Sequence, residues 1–182
     1  MKVIQSILLF GAGVVLAGCV STEEEMPRPL SKEEQASFFM PGAGAAKFVT
    51  VSTDTNSPVR GNILVQTQAV AIKENGPKET VARFGEVYAF SPTFIAVHRD
   101  EPTLIRFWNL QPDDNHDFML IAPDSTVLMK QLLPPLQQTS FVFTFHQEGL
   151  FNFICAMHQP AMSGQILVLP AKEESDPKRL EK

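Results

Sequence analysis

One stretch limits the architectures open to this chain more than any other: Phe151-Asn152-Phe153-Ile154-Cys155-Ala156-Met157-His158-Gln159-Pro160-Ala161-Met162-Ser163-Gly164-Gln165-Ile166. An aromatic strand leads in, and the apolar strand Gln165-Ile166-Leu167-Val168-Leu169 leads out. Between them a short loop carries a thiol, an imidazole and a thioether, three potential metal ligands of graded softness. Thiolate and thioether favour copper(I), and imidazole suits both copper states. Such a loop needs a scaffold that holds two strand ends firmly. One further His is required, and Asn115-His116-Asp117-Phe118 supplies a candidate about forty residues upstream.

The scaffold is legible in the alternation. Phe141, Phe143 and Phe145 fall on one face of a strand, with Val142 and Thr144 on the other. Further strands are predicted at 47–51, 62–73, 80–84, 86–90, 94–98, 103–108, 117–121, 127–132, 141–145, 150–154 and 165–169. The turn signals Asn56-Ser57-Pro58 and Glu74-Asn75-Gly76-Pro77 punctuate them. Short strands at regular spacing with no long helical period predict an all-β sandwich from Lys47 to Pro170. Phe is abundant, 14 residues against one Trp and one Tyr, and at 44% hydrophobic the chain can bury a core. Trp108 is expected inside it. No internal repeat is visible.

The flanks read differently. Met1 to Gly18 has a charged start at Lys2 and an apolar run over 7–15, the layout of a secretory signal. Leu16-Ala17-Gly18-Cys19 resembles the lipobox of bacterial lipoproteins. That resemblance implies cleavage before Cys19, acyl chains on Cys19, and an extracytoplasmic protein anchored to a membrane on the periplasmic side or at the cell surface. Residues 19–46 read as a tether, acidic at Glu23-Glu24-Glu25 and broken by Pro27 and Pro29. Ser31-Lys32-Glu33-Glu34 fits a capping box, which predicts one short helix running to Phe39. Residues 171–182 form a charged tail of mixed sign. A formal charge of −5 with no basic stripe argues against a nucleic-acid partner.

The segment from Tyr88 to Val168 resembles a plastocyanin- or azurin-type cupredoxin. Phe90-Ser91-Pro92-Thr93-Phe94-Ile95-Ala96-Val97 is similar to the strand that opens many bacterial members. Glu101 to Asn109 is similar to the next strand, ending in its frequent Asn. Phe141 to Gly149 is similar to the strand and turn before the ligand loop. The resemblance implies a Greek-key β-sandwich, here with extra N-terminal strands, and one type 1 copper. His116 takes the first ligand position, Cys155 and His158 the next two, and Met162 the axial one, with Gly164 as the Gly that follows. A trigonal Cys-His-His set with a weak axial Met is the blue-copper arrangement.

The family often carries Asn or Ser after the first His, where this chain has Asp117. An ionised Asp117 offers acceptors only. It either adds negative charge near the metal, lowering the potential, or points to solvent. Met157 is expected to face away from the metal, His98 and His146 to sit at the surface, and Asp113 and Asp114 to lie in a solvated loop.

These features predict an electron-transfer protein with no enzymatic activity of its own. Its partner is expected to be another redox protein, a cytochrome or a copper-containing reductase or oxidase. A copper-storage or copper-delivery lipoprotein is the alternative on the same ligands, although no Met-rich or His-rich tract suggests a loading site. A multicopper oxidase or nitrite reductase needs more than the four His present. A dinuclear copper A centre needs a second Cys where position 159 is Gln.

Overall fold

The structure, a computed structural model, describes residues 27–172. The signal segment, Cys19, most of the opening of the tether and nearly all of the charged tail lie outside the described residues.

The chain enters through α1 (Lys32–Ala36), capped as the sequence predicts. Ser31 accepts the Glu34 amide and Glu34 accepts the Ser31 amide. The helix ends at Ala36 and does not reach Phe39. Instead Phe39 pairs with Lys130 through two main-chain hydrogen bonds of 2.8 and 3.0 Å. A 3-10 turn (Ala43–Ala45) leads to β1 (Val49–Ser52), and β2 (Gly61–Ala71) follows.

Lys78–Phe84 is a helix, α2, where the alternation predicts a strand at 80–84. Only Thr80 and Val81 are β-branched there. Glu79, Ala82, Arg83 and the leading Pro77 favour a helical turn. Gly85, at φ 75, ends it in a conformation that other residues resist.

From there the strands match the alternation closely: β3 (Val87–Ser91), β4 (Phe94–His98), β5 (Thr103–Trp108), β6 (His116–Ile121), β7 (Val127–Leu133), β8 (Gln138–Phe145), β9 (Gly149–Ile154) and β10 (Ser163–Leu169). They form two five-stranded sheets, ordered β1-β8-β5-β2-β3 and β4-β10-β9-β6-β7. Pairs β2–β5 and β4–β10 are parallel and the others antiparallel. β8 crosses to the first sheet and β9 returns beside β6, as a Greek key requires. The result is a mostly-β sandwich of two five-stranded sheets.

The core lies between the sheets and accounts for the Phe content. Phe118 stands at its centre, with ring centroids 4.2 Å from Phe107, 5.7 Å from Phe153 and 6.0 Å from Phe143. Phe145 and Phe151 continue the cluster at 5.0 Å. Each such pair adds roughly 0.5–1.5 kcal/mol to plain burial. Trp108 departs from expectation and is 41% exposed. Ile105 and Phe107 take the inward face of β5, so the pleat turns Trp108 outward.

Candidate metal centre

Two neighbouring strands of the second sheet deliver the centre. His116 opens β6, and Cys155 directly follows β9. The register Met119↔Ile154 brings these two strand ends together. The loop after Cys155 closes on itself: the Cys155 amide donates to Met162 O at 2.9 Å and the Met162 amide to His158 O at 3.1 Å. Gln159 Nε2 donates to Cys155 O and Met162 O. Gly164 then lets β10 pass hard against its neighbours, because a Cβ there would sit 2.2 Å from Phe153 and 2.6 Å from Thr93 O.

The structure brings His116, Cys155 and His158 together as the sequence predicts. The two Nδ1 atoms are 3.0 Å apart, and Cys155 Sγ lies 3.9 Å from that of His116 and 3.6 Å from that of His158. A triangle with these sides has a centre about 2.1 Å from every corner, matching metal–nitrogen lengths near 2.0–2.1 Å and close to metal–sulfur lengths near 2.3 Å. The residues therefore fit a single ion. Met162 is buried and tied through its main chain to Cys155 and His158, completing a type 1 copper-like set of His, Cys, His and Met.

Protonation follows from burial. His116 is pushed down to about 3, by desolvation first and by His158 second. His158 is also lowered by burial, against the opposing pull of Asp114, Asp117 and Glu86. Both imidazoles are then neutral and ready to act as ligands at ordinary pH. The Cys155 thiol is pushed up to about 12 by burial and by the Asp117 charge. A cation is required to displace its proton.

A buried polar network holds the first ligand. Gln111 Oε1 accepts from His116 Nε2 at 3.2 Å, which places the ring proton there and leaves the Nδ1 lone pair to act as a ligand. Asn109 Nδ2 bonds Asp114 O at 2.8 Å and Leu133 O at 2.9 Å, while its Oδ1 accepts from Thr67 Oγ1 and the Gln111 amide. Tyr88 packs edge-on against both imidazoles, 4.8 Å from His116 and 4.7 Å from His158, and its hydroxyl bonds Asp114. Burial and that carboxylate hold the Tyr88 phenol above its usual range.

Asp117 does not point to solvent. It is fully buried, its amide donates to Cys155 Sγ at 3.3 Å, and its Oδ1 accepts the Ala156 amide at 2.6 Å. Its other oxygen lies 3.4 Å from Lys130 Nζ. Asp113 and Asp114 are half-buried, and they line a cavity of about 320 Å³ with Arg28, Glu86, Met157 and His158. Met157 thus sits partly in the core and partly at the mouth of the centre. His98 and His146 are half-buried at strand ends, His98 against Pro170 O and His146 against Asp100 and Thr50. The alternation gave no sign of Gln111 or Lys130. Asp117, a lone acid in an apolar strand, was the one available signal that a cation lay near.

No protein-family model matches the chain, and no curated protein matches it. Solved structures do. Auracyanin B is 15% identical, with 68% of this chain and 99% of that chain covered and a TM-score of 0.47. Auracyanin A, a "blue" copper protein from the green thermophilic photosynthetic bacterium Chloroflexus aurantiacus, is 18% identical, with 60% and 100% covered and a TM-score of 0.42. A Cu-containing nitrite reductase from Thermus scotoductus is 10% identical, with 63% of this chain but 32% of that chain covered and a TM-score of 0.45. At these identities and scores the likeness assigns this chain no role.

Proposed function

We propose that the protein is a one-electron carrier with a single type 1 copper, held outside the cytoplasm by lipid on Cys19. The convergence of His116 Nδ1, His158 Nδ1 and Cys155 Sγ around one point supports the copper reading most directly. Bound copper would supply a centre that cycles between Cu(I) and Cu(II). The chain's own residues do the rest. His116, Cys155 and His158 would hold it, with Met162 as the fourth residue of the set. Loop hydrogen bonds and the Asn109 network keep the donors fixed, so little moves between oxidation states. Among the four, His158 is the least buried and provides the edge through which an electron enters and leaves. The partner is a redox protein, a cytochrome or a copper-containing reductase or oxidase, that docks over Met157 and His158.

The copper-handling alternative uses the same ligands but needs metal to leave readily. Burial of His116, Cys155 and Met162 works against that exchange. No enzymatic step is assigned to this chain.

Visible and electron paramagnetic resonance spectra of the Cu(II)-loaded protein test the reading. An intense thiolate-to-copper band with narrow copper hyperfine splitting is expected, and Cys155→Ser should abolish it with the fold intact. A colourless protein, or ordinary weak copper bands, would refute the electron-carrier function. Mass spectrometry of the protein from membranes, with a Cys19→Ser variant beside it, tests the anchor.

A further inference from the structure

Asp117 poses a problem that the metal ligands alone do not solve. A carboxylate with no exposure sits one residue from His116, and its own amide bonds the Cys155 sulfur. An unpaired negative charge in such a place opposes the thiolate by Coulomb repulsion at low effective dielectric. Its Oδ1 nevertheless makes a short bond to the Ala156 amide, the first main-chain group after the sulfur ligand.

Lys130 supplies the missing charge. It lies on β7, paired in register with Met119 of β6, so its side chain reaches along the same sheet to Asp117 Oδ2 at 3.4 Å. Among the described residues no hydrogen bond satisfies Oδ2, and this ion pair is what faces it. The lysine is itself held. Its side chain is only 16% exposed, Nζ donates to Ser37 Oγ at 3.2 Å, and the Phe38 ring lies 5.3 Å from Nζ. Phe39 bonds both main-chain groups of Lys130. The segment after α1 therefore seats the ammonium against the buried carboxylate.

We propose that Lys130 is a positioning residue of the metal centre. Its charge faces Asp117 and keeps this carboxylate in place, holding the Ala156 amide and the Cys155 strand end. The sulfur then faces a neutral pair rather than a bare anion. The redox readout of this proposal rests on the copper reading; its structural readout does not.

The experiment compares wild type with K130M, D117N and the double variant, each metal-free and Cu(II)-loaded. Met keeps the stem of Lys130 and its strand pairing while removing the charge. In metal-free K130M, the Ala156 amide should exchange its hydrogen at least about tenfold faster, since a bond worth roughly 1.4 kcal/mol accounts for a factor of ten. In loaded K130M the Cu(II) state should gain by roughly threefold or more at fixed poise, and D117N should move the balance toward Cu(I). The double variant, with neither charge, should return to within about twofold of wild type on both measurements.

A purely structural clamp would give the opposite pattern, with additive losses in the double variant. Additivity, or a K130M protein unchanged in both exchange and potential, overturns the proposal. If K130M does not fold, the double variant decides: recovery of the fold supports the charge pairing, and failure to recover sinks it. If wild type shows no type 1 spectrum, the electron-carrier function falls, and exchange at Ala156 in the metal-free protein still settles the role of Lys130.

Discussion

Acid should unfold the metal-free protein through its histidines before its carboxylates respond. The His116 imidazole is held down at about 3 inside the folded chain, whereas an unfolded His titrates near 6.5. Between pH 7 and pH 5 the unfolded chain therefore gains a proton that the native state refuses. Stability is full above about 6.5 and declines as pH falls toward the folded value. Over that window the loss from His116 is about 2 kcal/mol, and it holds for any folded value below about 4. His158, lowered by burial as well, adds in the same direction. Few carboxylates titrate so high, which isolates the effect. With a urea slope of roughly 2 kcal/mol/M for a domain of this size, the His116 share moves the unfolding midpoint by about 1 M. Urea titrations of metal-free wild type and His116→Gln at pH 7 and pH 5, followed by circular dichroism, measure it directly. Glutamine stays polar and cannot protonate, so the variant should lose about 1 M less. Parallel pH dependence in the two proteins would show that His116 is not kept neutral by burial.

Gly164→Ala should destabilise the fold by at least about 2 kcal/mol in chemical denaturation, because its Cβ would meet the Phe153 ring and Thr93 O well inside contact distance. Asn109→Ala removes four hydrogen bonds, three of them buried, and should cost roughly 2–4 kcal/mol, with broadened nuclear magnetic resonance signals from the His116 ring. An unchanged His116 signal would separate that network from the centre.

Much of this molecule was legible before any coordinates. Strands at 94–98 and 103–108 match the alternation residue for residue, because period-two patterns with β-branched and aromatic residues admit little else. The clustering of His116, Cys155 and His158 followed from ligand chemistry and from a loop between two strands. The misses have separate causes. α2 arose because two β-branched residues did not outweigh the helix formers around them. Trp108 lies outside because the pleat assigned the inner face to its neighbours, whatever its size. Lys130 meets Asp117 only through the register of two strands, which no local pattern encodes. The lipobox expectation falls on residues outside those described.

The pairing order also sets a timetable. β1 must find β8, and β4 must wait for β10, the last strand of the domain. Topologies dominated by such distant partners fold slowly, because loop closure precedes most of the contacts that reward it. The donors inherit that schedule. A chain still lacking β9 and β10 presents His116 as a solitary imidazole, with the thiol and the second ring not yet delivered. An ion meets the complete set of donors only once the sandwich has shut. Metal capture should register as the final kinetic event, a report that the last strand has arrived rather than a seed around which the first ones gather.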